Sequence, residues 1–146
     1  MAKKSVLFIC THNSCRSQIA EGIVNHYCTR DFEAFSAGIE KTHVHPLAVK
    51  AMNEIDIDIS DQRSKTIDEF KGKTFDYVVT VCDHAKETCP FFPGKHVIHK
   101  GFEDPGDVEG PIDEKLHAFR DTRDEIKEWI KEIFCSKEKD EYGGGK

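Results

Sequence analysis

Apolar residues along this chain form short runs that alternate with longer stretches of helical spacing. Four runs with β-branched or aromatic residues predict buried strands at residues 6–9, 33–37, 77–81 and 97–98. Apolar positions three and four residues apart predict helices at residues 17 to about 30, 46 to about 55 and 113–134. A shorter helix is expected at residues 66–70, with Thr66 as its cap and Glu69 three residues later.

This order of elements predicts an α/β fold: a single domain with a four-stranded parallel sheet and helices on both faces. The carboxyl ends of parallel strands share one edge of the sheet, and ligands of such folds bind at that edge. Cys10 directly follows the first predicted strand, and Cys82 directly follows the third. If these two strands are neighbours, the two thiols lie at the same edge.

The bulk composition is that of one soluble domain. The chain has 146 residues and a net charge of -6, which disfavours nucleic acid as a partner. No apolar run approaches the roughly 20 residues of a membrane span, and the run after the basic N-terminus is too short for a signal peptide. We therefore expect a cytoplasmic monomer, with its domain at residues 1–135 and a disordered polar tail at residues 136–146.

The chain has six cysteines, and none of them forms a Cys-x-x-Cys pair. In the reducing cytoplasm they should not form structural disulfides, so some are expected to be catalytic or redox-active. Cys28 lies on the apolar stripe of the first helix and is interpreted as a core thiol. Cys135 ends the last helix and is interpreted as a bystander. Cys15 has no evident partner in a relay of thiols.

The segment from Cys10 to Ser17 carries the strongest chemical signal, because it joins a strand to a helix. Its residues Thr11, His12, Asn13, Ser14 and Cys15 would present backbone N–H groups at a helix N-terminus, which is a ready anion site. Arg16 adds a planar fork for two anion oxygens. The same positive field favours the thiolate of Cys10, to which Ser17 can donate a hydroxyl. The segment therefore predicts a cradle for a tetrahedral oxyanion with a nucleophilic thiolate.

Cys82 and Cys89 are a second thiol pair, separated by six residues. In an intact helix they would lie about 10 Å apart along the axis, whereas a disulfide needs Cα atoms within about 7 Å. The pair can therefore bond only if the segment loops or unwinds, which Pro90 and Pro93 favour. The alternative is two unrelated cysteines, one buried and one exposed.

The strand followed by Cys10, five residues, Arg16 and Ser17 resembles the active-site loop of the low-molecular-weight protein tyrosine phosphatases. In that family the cysteine is the nucleophile, and an Asp-Pro pair in a distant loop supplies the general acid. Here that pair is Asp104-Pro105, although Asp-Pro also starts ordinary turns.

The chain is more specifically similar to the thioredoxin-coupled arsenate reductases, which share the phosphatase fold. Its landmarks, in order, are Cys10-Thr11-x-Asn13-Ser14-Cys15-Arg16-Ser17-Gln18-x-Ala20-Glu21-Gly22, Ser36-Ala37-Gly38-Ile39-Glu40, Asp56-Ile57-Asp58-Ile59-Ser60, Val78-Val79-Thr80-x-Cys82, Cys89-Pro90, Gly101-Phe102-x-Asp104-Pro105 and Arg123-Asp124-Glu125-Ile126. The resemblance implies that Cys10 attacks arsenate while Asp104 protonates the departing oxygen. Cys82 then attacks Cys10 and releases arsenite, Cys89 attacks Cys82, and thioredoxin reduces the resulting disulfide.

The resemblance also raises the question of a metal. Some relatives bind potassium through Asn13, Glu21, Ser36 and an acidic residue near position 65, where this chain has Arg63 and Lys65. A lysine ammonium could replace the cation, so no metal and no bound cofactor are expected. The histidines and cysteines of residues 82–99 fit no common zinc spacing, and His43 and His45 are interpreted as surface residues.

Two alternatives to the arsenate reductase remain open on the sequence. The first is a low-molecular-weight tyrosine phosphatase that uses Cys10, Arg16 and Asp104. Cys82 and Cys89 argue against it, as does Gly106, where the phosphatases usually carry an aromatic residue. The second is a thiol redox switch without turnover. His12 stands where the family usually has glycine, and the loop is expected to need an unusual backbone angle there.

Overall fold

The computed structural model describes residues 3–83 and 91–135. Cys89 and the predicted tail at residues 136–146 lie outside these ranges, so the expectations about them stay predictions. The strands are β1 (Lys4–Ile9), β2 (Phe32–Ala37), β3 (Tyr77–Thr80) and β4 (His96–His99). The α-helices are α1 (Arg16–Tyr27), α2 (Pro46–Asn53) and α3 (Ile112–Ile133). Two short 3-10 turns lie at Ile67–Phe70 and Pro105–Asp107.

The four strands form one parallel sheet in the order β2-β1-β3-β4. β1 and β3 are neighbours, with Ile9 opposite Thr80. Cys10 and Cys82 therefore leave adjacent strands at the same carboxyl edge, which confirms the arrangement predicted from the sequence.

Both faces of the sheet are covered, as expected, because β1 is buried on both sides. Val6 and Phe8 point into a cluster that contains side chains of all three α-helices. Leu7 and Ile9 point into a second cluster, which the 3-10 turn at Ile67–Phe70 helps to cover. The fold class is therefore confirmed, with the α-helices on one face and a 3-10 turn on the other.

The expected cap of the helix at residues 66–70 is wrong. Thr66 precedes a 3-10 turn but makes no side-chain cap hydrogen bond. Glu69 does not reach back to it either: its carboxylate accepts two hydrogen bonds from Arg63, at 2.9 and 2.6 Å. A bidentate arginine pair is stronger than a hydroxyl cap, and it redirects the glutamate.

Cys28 is fully buried in the core, as predicted, but it is not a free thiol, and Cys135 is not a bystander, because the two residues form a disulfide. Cys28 is the C-cap of α1, and Cys135 follows the last turn of α3. These helices pack against each other, and their ends meet with the two Cα atoms 5.3 Å apart. Because the two cysteines are 107 positions apart in the sequence, no local spacing signals the pair.

Glu54 links the end of α2 to α3, and its charge gives a testable pH dependence. Hydrogen bonds from Arg120 and Arg123 lower the pKa of Glu54 from 4.5 to about 2. Because the pKa of Glu54 is lower in the folded protein than in the unfolded chain, its ionised form stabilises the fold. This stabilisation is complete above about pH 4.5 and is lost as the pH falls toward 2. The side chain is 31% exposed, so screening by solvent limits the expected stabilisation to about 1 kcal/mol.

We therefore expect Glu54→Gln to lower the Tm by roughly 3 °C at pH 7, with the difference shrinking below pH 4.5. Thermal melts of wild type and variant between pH 7 and pH 3 measure it. The exposed Glu109→Gln is the control and should change the Tm little at any pH. A Glu54→Gln difference that stays constant down to pH 3 would contradict the role of this charge.

Candidate active site

The loop after β1 is held against the residues that follow β2 by close backbone contacts. Thr11 accepts hydrogen bonds through its carbonyl oxygen from Ile39 and Glu40. A Cβ at Gly38 would lie 2.7 Å from the Thr11 carbonyl oxygen and 2.8 Å from the Asn13 nitrogen. Only glycine permits this approach, so Gly38 lets the Ser-Ala-Gly segment pack directly beneath the loop.

The unusual backbone angle of the loop lies at Asn13, where φ is 50°, and not at His12 as the sequence suggested. Asparagine tolerates this left-handed conformation, because its short polar side chain forms local hydrogen bonds. The carbonyl of His12 instead accepts bonds from Thr42 Oγ1 and Ser64 Oγ, both at 3.2 Å. The expectation for His12 is therefore wrong, and Asn13 is the residue that shapes the turn.

A directional chain of hydrogen bonds runs from the backbone to the Cys10 sulfur. The Lys65 backbone N–H donates to Asn13 Oδ1 at 2.9 Å, which fixes the orientation of the amide. Asn13 Nδ2 then donates to Ser17 Oγ at 2.7 Å, and Ser17 Oγ lies 2.9 Å from Cys10 Sγ. Because Oγ accepts from Asn13, its own hydrogen can point at the sulfur, which is the arrangement that a donor to a thiolate requires.

Arg16 and Asp104 face each other across the top of the loop. Arg16 is 1% exposed, and its Nη1 donates to the Phe102 carbonyl oxygen at 3.1 Å. Its Nη2 lies 3.5 Å from Asp104 Oδ2, while Asp104 Oδ1 accepts from the Gly106 N–H at 2.9 Å. Asp104 thus caps the turn at Pro105–Asp107 and also places a carboxyl group beside the arginine.

Around these groups lies an open pocket of about 370 Å³. Its lining combines most of the predicted loop residues with Asp104 and with residues that follow β2. The lining residues are Cys10, His12, Ser14, Cys15, Arg16, Glu40, Thr42, His43, His45, Asp104, Gly106 and Asp107. The Nε2 atom of His12 lies 3.2 Å from Glu40 Oε1 at the rim. The volume suits a small oxyanion such as phosphate with its hydration shell.

His45 is more than the surface residue expected from the sequence. Its Nδ1 accepts the Leu47 N–H at 3.1 Å and so caps α2. Its ring packs 4.6 Å from the Phe119 ring of α3. Burial, with a smaller effect of His43, lowers the pKa of His45, which favours a neutral ring whose proton sits on Nε2. His43 is exposed, as predicted.

Beneath the loop, the buried Lys65 side chain lies beside Glu21. Its Nζ donates to the Arg63 carbonyl oxygen at 2.8 Å and lies 3.9 Å from Glu21 Oε1. Glu21 also accepts a short hydrogen bond from Ser36. Burial raises the pKa of Glu21 and lowers the pKa of Lys65, while each charge acts on the other in the opposite sense. Within residues 3–83 and 91–135, no group of three or more histidine, cysteine or acidic residues is arranged to hold a metal ion.

The three described cysteines near the carboxyl edge of the sheet differ in oxidation state. Cys10 and Cys15 are free thiols, whereas Cys82 is disulfide-bonded. Cys82 is fully buried, and its Sγ lies 3.8 Å from the Ile9 carbonyl oxygen, next to Cys10. Burial, and then the nearby Asp104 carboxylate, raises the pKa of Cys15 far above its usual range. Cys15 is therefore protonated at neutral pH and is a poor nucleophile.

Two supports of the site had no role in the interpretation of the sequence. Gln18 Nε2 donates to Asn13 Oδ1 and to the Arg63 carbonyl, at 2.9 and 3.0 Å, and so ties the loop to the segment after α2. The Phe102 carbonyl holds the Arg16 guanidinium. Gln18 stands inside a recognisable motif, but no spacing in the sequence signals the carbonyl of Phe102.

Comparison with known proteins places this geometry in a family. Residues 5–142 match the model of the low molecular weight phosphotyrosine protein phosphatase family. An arsenate reductase of Halalkalibacterium halodurans is 51% identical over 132 residues, which cover 90% of this chain and 95% of that protein. A solved arsenate reductase in the phosphate binding state is 31% identical with a TM-score of 0.74, and the match covers 91% of this chain and 98% of that one.

A thioredoxin-dependent arsenate reductase of Corynebacterium glutamicum is also similar, at 33% identity and a TM-score of 0.62. That match covers 92% of this chain and 63% of the other. None of the described helices is long and apolar enough to cross a membrane. The fold, the loop from Cys10 to Arg16 and these matches show that the chain belongs to the low molecular weight phosphotyrosine protein phosphatase family and is similar to arsenate reductases.

Proposed function

We propose that this protein reduces arsenate to arsenite through a relay of three thiols, Cys10, Cys82 and Cys89. The observation that carries the proposal is the free Cys10 thiol in an oxyanion pocket, where it follows β1, the neighbour of the strand β3 that leads to Cys82. The arsenate reductases among its relatives support the same activity. A phosphatase needs only the first thiol, whereas a two-electron reduction needs a second.

In the first step the Cys10 thiolate attacks arsenic. The backbone N–H groups of residues 11–15 and the Arg16 guanidinium hold the oxyanion, and Ser17 stabilises the thiolate. Asp104 donates a proton to the departing oxygen, which leaves as water. The product is a Cys10 thiol ester of arsenate, in which arsenic is still As(V).

The second step is the reduction. The Cys82 thiolate attacks Cys10 Sγ, so a sulfur–sulfur bond forms while the sulfur–arsenic bond breaks. The electron pair of that bond stays on arsenic, which leaves as arsenite, As(III). The adjacent strands β1 and β3 support this step, because they bring both cysteines to one edge of the sheet. Each sulfur exchange depends on access and on the fraction of thiolate.

In the third step Cys89 attacks Cys82 and releases the Cys10 thiolate. Cys89 lies outside the described residues, but the bonded state of Cys82 supports a pairing of the two. Among the described cysteines, Cys10 and Cys15 are free and Cys28 bonds to Cys135, so none of these four is the partner of Cys82. Thioredoxin then reduces the Cys82–Cys89 disulfide. The thioredoxin-dependent relative from Corynebacterium glutamicum supports this donor.

We further infer that the enzyme works as a monomer in the cytoplasm, where thioredoxin is available as the reductant. Residues 1–135 carry the activity in this proposal, and removal of residues 136–146 is expected to leave kcat/KM unchanged. No metal or bound cofactor takes part, because every electron comes from a thiol.

The test is a coupled assay with arsenate, thioredoxin, thioredoxin reductase and NADPH. The expected result is arsenate-dependent loss of NADPH with one arsenite formed for each NADPH consumed. Loss of NADPH without arsenate, or none with it, would overturn the proposed function. The same preparation is assayed with an aryl phosphate, because the match to a phosphatase family makes phosphatase activity the second candidate function. A kcat/KM for the aryl phosphate above that for arsenate would favour this candidate.

Lys65 supplies a separate prediction about the metal. We propose that its ammonium, beside the buried Glu21 carboxylate, takes the place of a bound potassium ion. We therefore expect the Tm of the wild type to be equal in KCl and in tetramethylammonium chloride of the same ionic strength. Lys65→Asp should gain a potassium-dependent increase of a few degrees, whereas Lys65→Met should not. A specific effect of potassium on the wild type would show that the lysine does not replace the ion.

A further inference from the structure

A second sulfur pair lies at the opposite end of α1 from the oxyanion pocket. Cys28 caps the C-terminus of α1, and its sulfur is bonded to that of Cys135. The Cα–Cα distance of 5.3 Å lies within the range that a disulfide requires. No step of the proposed reaction uses either cysteine, so the pair needs an explanation of its own.

The two cysteines lie inside a packed aromatic region. Cys28 is fully buried, and Cys135 is 4% exposed. The neighbouring Phe134 ring makes edge-to-face contacts with Phe8, Phe32 and Tyr77 at centroid distances of 5.1 to 6.2 Å. These rings are held by β1, β2 and β3, so the end of α3 is anchored to the sheet beside the disulfide.

We propose that Cys28–Cys135 is a structural disulfide that thioredoxin does not open and that persists while the catalytic thiols turn over. The bond forms when the two thiols are oxidised by a low-molecular-weight disulfide. One cysteine thiolate attacks this disulfide and releases one thiol, and the second cysteine then displaces the other. Two cysteine thiols are oxidised, and one small disulfide is reduced to two thiols.

Resistance to thioredoxin follows from access and distance. A thiolate must reach one of the two sulfur atoms to open the bond, and the residues that carry them are buried. The 12 residues of α1 separate Cys28 from the loop by about 18 Å, so Cys10 cannot exchange with it directly. The bond therefore stays apart from the redox chemistry at the other edge of the sheet.

The test counts thiols in the double variant Cys82→Ser/Cys89→Ser, which removes the proposed relay pair. The protein is purified without reductant, treated in its native state with thioredoxin, thioredoxin reductase and NADPH, and then unfolded in iodoacetamide for intact mass measurement. Four cysteines remain, and we expect two labels, on Cys10 and Cys15. Unfolding with a phosphine reductant should raise the count to four.

Four labels before any reduction would overturn the disulfide, and four labels after native thioredoxin treatment would overturn its resistance. Neither outcome depends on arsenate, so failure here is distinguishable from failure of the proposed function. The same background with Cys28→Ala and Cys135→Ala should give two labels under every condition.

A second measurement tests the effect on stability. Because the bond joins residues 107 positions apart, it restricts the unfolded chain strongly. We expect Cys28→Ala/Cys135→Ala in the wild-type chain to melt at least about 5 °C below the oxidised parent, with kcat/KM for arsenate unchanged. Equal melting temperatures of the variant and the oxidised parent would contradict a structural role.

Discussion

Cys10→Ser is expected to abolish arsenite formation, with kcat/KM falling by at least about 10³-fold. A serine hydroxyl keeps the size of the side chain but is hardly ionised at neutral pH, so it cannot attack arsenic as the thiolate does. The hydrogen-bond chain from Lys65 through Asn13 and Ser17 can stabilise a negative charge on the sulfur. It does not supply a nucleophile when the sulfur is absent. Arsenite measured directly over time gives the result.

The control for this variant is Cys15→Ser, in the same loop and pocket. Burial and the Asp104 carboxylate keep Cys15 protonated, so its loss should cost less than about 10-fold. Its backbone N–H remains in place in the variant. If Cys15→Ser were as inactive as Cys10→Ser, the assignment of the nucleophile to Cys10 alone would be wrong.

Cys89→Ser is expected to release one arsenite per enzyme molecule and then stop. The Cys10–Cys82 bond can still form in this variant, so arsenic is reduced once, but nothing resolves the bond. Cys82→Ser should release no arsenite, because no thiolate attacks Cys10. A single-turnover experiment with prereduced enzyme and excess arsenate, followed by arsenite analysis, separates the two variants.

The wild type in the same experiment, without thioredoxin, should also stop at one arsenite. Adding thioredoxin with its reductase should restore turnover to the wild type but not to Cys89→Ser. Continued turnover of Cys89→Ser at the wild-type rate would remove Cys89 from the relay. Arsenite release by Cys82→Ser would remove Cys82.

The fold followed closely from the sequence, because its signals are local. Residues 6–9 and 77–81 are almost entirely apolar, as strands buried on both faces must be, and the structure places both in the sheet. The edge at which Cys10 and Cys82 meet could be predicted because both strands run in the same direction. The sequence does not show that the two strands are neighbours, and the strand order of the sheet does.

Two of the predictions that failed depended on contacts between distant segments, and a third on a competing partner nearby. The Cys28–Cys135 pair requires the ends of α1 and α3 to meet, and no pattern within either helix encodes that. The interpretation of His45 missed its packing against Phe119 of α3. Thr66 and Glu69 matched a capping pattern, but Arg63 offered Glu69 a stronger partner.

Within the loop, the sequence indicated an anion cradle and a nucleophile but not the residue that bends the backbone. His12 drew attention because it departs from the family pattern, while Asn13 takes the left-handed conformation. The glycine that matters for the loop is Gly38, which directly follows β2 and allows the close approach. Such a requirement depends on what packs against a residue, and the residue's own neighbours in sequence do not reveal it.

The central claim is that the reduction of one arsenate first forms a Cys10–Cys82 disulfide and then leaves a Cys82–Cys89 disulfide. The most direct measurement adds one equivalent of arsenate to prereduced wild-type enzyme without thioredoxin, followed by alkylation and peptide mapping by mass spectrometry. We predict one arsenite, a Cys82–Cys89 disulfide and an alkylated, free Cys10; in Cys89→Ser the bond should instead join Cys10 to Cys82. Arsenite formed with Cys82 and Cys89 both still alkylated as free thiols would contradict the relay.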